Sequence, residues 1–216
     1  DCVKGNPFNL NKGLATGGKI NRNNLMHAIK GSGNPIQSLN FIECHDNYTI
    51  ADQIDLTLPN ITFNSKMDLL KLGLGIMFIS QGIPFIHLGM EFGRSKCGIS
   101  NSYKESLDIN KIEWSNISQY QEVVDSVKDL INLRKEISLS RLHTKEEVES
   151  LIKFSNDDIF NFTLNNEYCI YISDNYQRYE VSISGILIYD GKRKNEMISN
   201  LIISKPGVYI VKIKEA

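Results

Sequence analysis

Two short apolar runs, 38–44 and 84–88, are separated by a long connection that contains a helical pattern at 66–79. Antiparallel neighbours can be joined by a tight turn, whereas parallel neighbours need a crossover long enough to hold a helix. The order strand, long connection, helix, strand therefore predicts a βαβ unit of a parallel sheet. Leu39, Phe41 and Ile42 in the first run, and Phe85, Ile86 and Leu88 in the second, read as buried strand residues. Met67, Leu70, Leu74, Met77 and Phe78 recur at helical spacing, with Asn64 or Ser65 as the expected N-cap. The first run ends in a polar cluster, His45-Asp46-Asn47.

Around this unit, a short helix is expected at 23–30 and a polar loop at 89–114. Ser118 and Gln121 have capping-box spacing ahead of a helix predicted over 119–137. Beyond Arg141 the texture changes to short alternating runs at 151–154, 159–164, 168–173, 179–183, 185–189, 201–204 and 208–213, separated by Asn, Asp, Gly and Pro. That pattern predicts an all-β domain of about seven strands, a sandwich. The division is thus 1–140, mixed α/β, and 141–216, all-β.

A hydrophobic fraction of 41% with 23% charged residues excludes a disordered chain. The net charge is −1, and no basic patch points to nucleic acid. Residues 72–90 carry no formal charge and could span a bilayer. Gly73, Gly75, Gly82, Pro84 and Gly89 interrupt them, and Gln81 and His87 would lie at depth, so a buried helix and strand are expected instead of a membrane span. Cys2, Cys44, Cys97 and Cys169 are far apart and form no metal-ligand spacing. Four reduced thiols, no cofactor, no metal and a cytoplasmic rather than secreted protein are the expectations. The opening residues show neither an initiating Met nor a signal-peptide pattern, which fits a piece of a longer polypeptide.

LNFIECHDNYTIADQI, at 39–54, resembles the segment that ends the seventh barrel strand in the alpha-amylase superfamily, and its HDN-x-T-x-x-D form is similar to type I pullulanases. QGIPFIHLGMEFGRSK, at 81–96, resembles the eighth strand and following loop of that family, and NSYKESLDINKIEW, at 101–114, the loop after it. The resemblance implies that 1–140 is the C-terminal part of a (β/α)8 TIM barrel, strands seven and eight with their helices, followed by a C-terminal β-sandwich at 141–216. It implies a retaining glycoside hydrolase acting on α-1,6 branch linkages of pullulan, amylopectin or glycogen-type α-glucans, with two carboxylates roughly 5 Å apart.

In the resemblance Asp46 matches the carboxylate that stabilises the transition state, and His45 donates to hydroxyls of the same sugar. Asn47, Asn101 and Tyr103 complete the implied substrate-binding set, with Asn47 also holding its loop by side-chain hydrogen bonds. Glu43 is expected to pair with a basic group, His87 and Glu91 to be structural, and Trp114 to pack in the core. The family's nucleophile and acid/base follow strands four and five, and neither motif occurs in this sequence. The chain alone is therefore expected to be inactive and to need the missing N-terminal part of the same enzyme as its partner. Leu107, Met90 and Ala51 depart from the residues common in the family. Two other readings are an inactive carbohydrate-binding or structural piece, and a related isoamylase-type or alpha-amylase-type hydrolase.

Overall fold

The computed structural model describes residues 2–31, 33–137 and 141–213. A loop-rich opening contains an antiparallel ribbon, β1 (Gly5–Asn6) with β2 (Asn11–Lys12), and then helix α1 (Arg22–Lys30). Strand β3 (Leu39–Asn40) leads through a loop to α2 (Ile50–Thr57) and α3 (Phe63–Ile79), and the chain returns as β4 (Ile83–Pro84). β3 and β4 pair in parallel, Leu39 with Ile83 and Asn40 with Pro84, so the crossover is the βαβ unit that the pattern predicts. Then follow α4 (Leu107–Asn110), α5 (Asn116–Gln119), α6 (Gln121–Glu136) and α7 (Lys145–Leu151).

Both parallel strands are shorter than expected, and their outward residues are not buried. Leu39, Phe41, Ile83 and Phe85 are 43–60% exposed, with the Phe41 and Phe85 rings in edge-on contact at 6.3 Å. Two strands cannot cover their own apolar residues; that takes further strands alongside or another layer. The helix caps also differ. Thr62, not Asn64 or Ser65, caps α3, its hydroxyl accepting from the Ser65 amide at 3.2 Å. The helix expected at 119–137 is broken at Tyr120, which is buried and packs edge-on against Phe63 at 4.9 Å.

α2 and α7 are unexpected helices, and each has a local cause. Thr49 caps α2 by accepting from the Asp52 amide at 3.0 Å. Thr144 and Glu147 form a reciprocal capping box at the start of α7. The second part of the chain therefore opens with a helix and is not all-β.

Six strands follow: β5 (Ile152–Phe154), β6 (Phe160–Leu164), β7 (Tyr168–Ser173), β8 (Tyr179–Tyr189), β9 (Arg193–Ile203) and β10 (Gly207–Ile213). They form one antiparallel sheet in the order β5-β6-β7-β10-β8-β9, where seven strands in two packed sheets were expected. The runs 179–183 and 185–189 are a single strand. Gly185, the first residue of the second run, lies at a register shift, where an added Cβ would sit 2.3 Å from the Lys212 carbonyl oxygen. The bulge bends the strand without ending it. The Asn165-Asn166 turn between β6 and β7 has both residues at positive φ, as a tight hairpin requires.

One face of the sheet joins a core with α3 and α6: Phe160, Phe162, Ile170, Ile172, Val208 and Ile210 pack with Leu70, Leu74, Leu130 and Leu133. The other face gathers Tyr171, Leu187, Leu201, Ile203, Tyr209 and Val211, all from the sheet or its approach strands. Both faces of the sheet thus carry buried side chains. Gly75 lets α3 approach closely, since a Cβ there would meet Val208 Cγ2 at 2.8 Å. At the end of α3, buried Arg134 donates to the carbonyls of Phe78, Ser80 and Gly82, tying α6 to both α3 and β4. The boundary drawn at 140–141 adjoins residues 138–140, outside the described residues, and the main core runs continuously through both parts. Among the described residues no helix is long and apolar enough to cross a membrane.

Candidate functional site

The polar cluster follows β3 and lies at the C-terminal end of the parallel pair. Thr49 caps α2, which leaves the Asp46 side chain outside the helix and 67% exposed. Its Oδ2 lies 3.5 Å from His45 Nε2, and the His45 side chain is 85% exposed. Cys44, Asp46 and Asn47 line an open cleft of about 770 Å³ together with Lys4, Phe8 and Phe41. Asn47 takes a left-handed conformation, φ 61°, which Asn tolerates better than most residues.

The loop is held by buried groups behind it. Lys96, 1% exposed, donates through Nζ to the carbonyls of His45 at 3.1 Å, Asn47, and Ser100 at 3.3 Å. Lys4 donates to the Tyr48 carbonyl. Burial lowers the affinity of both lysines for their protons, opposed chiefly by Asp52 for Lys96 and by Glu43 for Lys4. Asp52 fixes the backbone on the far side, accepting from the Lys96 amide at 2.7 Å and from Ser95 Oγ at 2.5 Å.

Glu43 is buried and accepts from the Ile50 amide at 2.5 Å; its other oxygen lies 2.9 Å from His87 Nδ1. Arg94 Nη1 is 3.0 Å from His87 Nε2. A guanidinium can only donate, so Nε2 is the acceptor and Nδ1 carries the proton given to Glu43. Glu43 thus pairs with a histidine, and both ring nitrogens of His87 are engaged by protein side chains.

The structure treats the expected site residues unequally. His45, Asp46 and Asn47 share one loop. Asn101 and Tyr103 are exposed on another, outside the cleft lining, and Lys96 links the neighbouring Ser100 carbonyl to the first loop. Lys104 Nζ stands 5.3 Å from the Tyr103 ring centroid. Asn47 holds its loop through its backbone carbonyl; among the described residues its side chain makes no hydrogen bond. Trp114 is 58% exposed and lies against Phe92 at 5.7 Å rather than within the core. Lys96 was not expected at all. Its partners are backbone carbonyls distant in sequence, which leave no side-chain pattern to read. The donor atoms of Cys44, His45 and Asp46 lie within 4.8 Å of one another and could hold a metal ion.

No family model matches the chain. It is 36% identical to the pullulanase of Bacillus subtilis over 160 residues, covering 69% of this chain and 22% of that protein. It is 26% identical to chloroplastic isoamylase 3 of Oryza sativa over 117 residues, 41% of this chain and 15% of that one. The crystal structure of a pullulanase from an Anoxybacillus species superposes with a TM-score of 0.91 and 26% identity, over 99% of this chain and 33% of that one. The same enzyme complexed with maltotetraose gives a TM-score of 0.90 at 25% identity, over 99% and 34%. The chain thus spans about a fifth of its curated pullulanase relative and a third of the solved structure.

The pullulanase and isoamylase relatives support a likeness to the debranching family of glycoside hydrolases. Within that class its neighbours over most of its length are pullulanases, and the chain is consistent with a C-terminal fragment of a type I pullulanase.

Proposed function

We propose that this chain forms one wall of a retaining α-1,6-glucosidase site and is the C-terminal part of a (β/α)8 barrel with its appended β-domain. The observation that carries this reading is Asp46: an exposed carboxylate at the C-terminal end of a parallel strand, facing a cleft, on a loop fixed from behind by a buried lysine. The C-terminal rim is where barrels of this kind place their reacting groups. The exposed Leu39, Phe41, Ile83 and Phe85 supply an apolar surface that further barrel strands would bury.

In the proposed reaction a carboxylic acid from the rest of the barrel protonates the glycosidic oxygen as the bond to the anomeric carbon breaks, and a second carboxylate attacks that carbon. Water then releases the glucan chain from the carboxylate. Asp46 accepts hydrogen bonds from hydroxyls of the sugar undergoing cleavage, bonds that strengthen as positive charge develops on the ring. His45 donates to the same sugar, and Asn47, Asn101 and Tyr103 border the substrate. The chain by itself has no turnover, because the attacking and protonating groups belong to the remainder of the enzyme.

The test is a chimera in which this chain replaces the equivalent part of the Bacillus subtilis pullulanase. Release of maltotriose from pullulan is expected. A folded chimera that releases nothing points to a passive structural piece, and one that gives products other than maltotriose points to an α-1,4-acting relative.

A further inference from the structure

We propose that Cys44, His45 and Asp46 form a zinc-binding site that competes with sugar for the same side chains. The competition rests on the glucosidase reading above; the metal site does not. Among the described residues this is a single cluster with three different ligand types, a thiol, an imidazole and a carboxylate, all within 4.8 Å. Zinc bonds of about 2.0–2.3 Å in a tetrahedron set neighbouring donors roughly 3.3–3.7 Å apart. His45 Nε2 and Asp46 Oδ2 are already 3.5 Å apart. The thiol, whose sulfur now sits 4.0 Å from the Asp46 carbonyl, lies within 4.8 Å of both donors and must draw in to close the other two edges.

The donor set selects the metal. Calcium and magnesium take oxygen ligands, whereas a mixed sulfur, nitrogen and oxygen set suits zinc and its softer analogue cadmium. Thiolate and carboxylate together balance a dication; the thiol proton goes to solvent on binding. The exposed His45 and Asp46 leave the fourth position open to water. The loop is also fixed before any ion arrives, by Lys96 on the His45 and Asn47 carbonyls and by Glu43 on the Ile50 amide, so binding orders little backbone. A zinc ion held there occupies the carboxylate and imidazole proposed to contact glucose, so metal and glucan exclude each other.

The experiment uses the reduced 216-residue chain without substrate. Zinc chloride is followed by calorimetry and cadmium chloride by the ultraviolet thiolate-to-cadmium absorption. One equivalent of each metal is expected to bind. Cys44→Ser should abolish the absorption and weaken zinc at least tenfold, and Asp46→Asn, at an exposed position, should weaken zinc about tenfold. Cys97→Ser and Cys2→Ser should change neither. Failure to bind, an absorption that survives Cys44→Ser or disappears with Cys97→Ser or Cys2→Ser, or equal zinc affinity in Asp46→Asn overturns the site. Absence of pullulan cleavage by the chimera in metal-free buffer bears on the hydrolase reading alone.

Discussion

Asp46→Asn in the completed enzyme is expected to lower kcat on pullulan by about 10³-fold with little change in KM. The substitution keeps size and shape but removes the charge, so it acts where positive charge accumulates, in the transition state more than in the bound ground state. Folding should be untouched. The carboxylate is 67% exposed, and the His45 side chain 3.5 Å from it is 85% exposed, a contact of small energetic weight. Steady-state kinetics with a thermal melt of the same preparation separates the effects. A rate within tenfold of the parent at an unchanged melting temperature contradicts the role given to Asp46.

Arg134→Met is expected to destabilise the fold by about 3–5 kcal/mol, read as a lower urea midpoint. The guanidinium donates to the carbonyls of Phe78, Ser80 and Gly82, the last of α3 and the approach to β4. Helix C-termini leave carbonyls without intrahelical donors, and a cation there also meets the negative end of the helix dipole. Burial, with repulsion from Arg141, brings the Arg134 pKa down to about 10, so the group stays charged at neutral pH despite its desolvation. Met fills the space but strands two buried acceptors and a third that is partly buried. Arg134→Lys should fall between the two, since a single ammonium cannot reproduce the planar fork. A midpoint unchanged in Arg134→Met contradicts the account of how α6, α3 and β4 are joined.

What was legible in the sequence follows from which interactions are local. The βαβ unit was readable because helical spacing in α3 and the flanking apolar runs report burial directly. The caps that define α2 and α7 are also present in the sequence, as Thr49 with Asp52 and Thr144 with Glu147, but both helices are short, so apolar spacing has little length in which to repeat. The runs 179–183 and 185–189 are divided at Ser184 in the sequence pattern, yet the strand continues through them, with Gly185 admitting the close approach of β10. The exposure of Leu39 and Phe41 could not be foreseen from composition, since an apolar run looks the same whether or not its covering strands accompany it.

The site divides in the same way. His45, Asp46 and Asn47 are contiguous and follow a strand, so their shared position at its end was predictable. Asn101 and Tyr103 were joined to them through resemblance; in the fold they stand on a separate loop reached through Ser100 and Lys96. Lys96 acts through backbone carbonyls of residues far earlier in the chain, a relation that only three-dimensional contact reveals. Cys44 completes its ligand set within three consecutive residues, which metal-ligand spacing rules do not anticipate.

The decisive measurement is a crystal structure of the completed enzyme with maltotriose bound. An Asp46 carboxylate within about 2.6–3.2 Å of two adjacent hydroxyls of one glucose is the predicted result. Maltotriose bound across the same cleft with Asp46 turned away from every hydroxyl would contradict it.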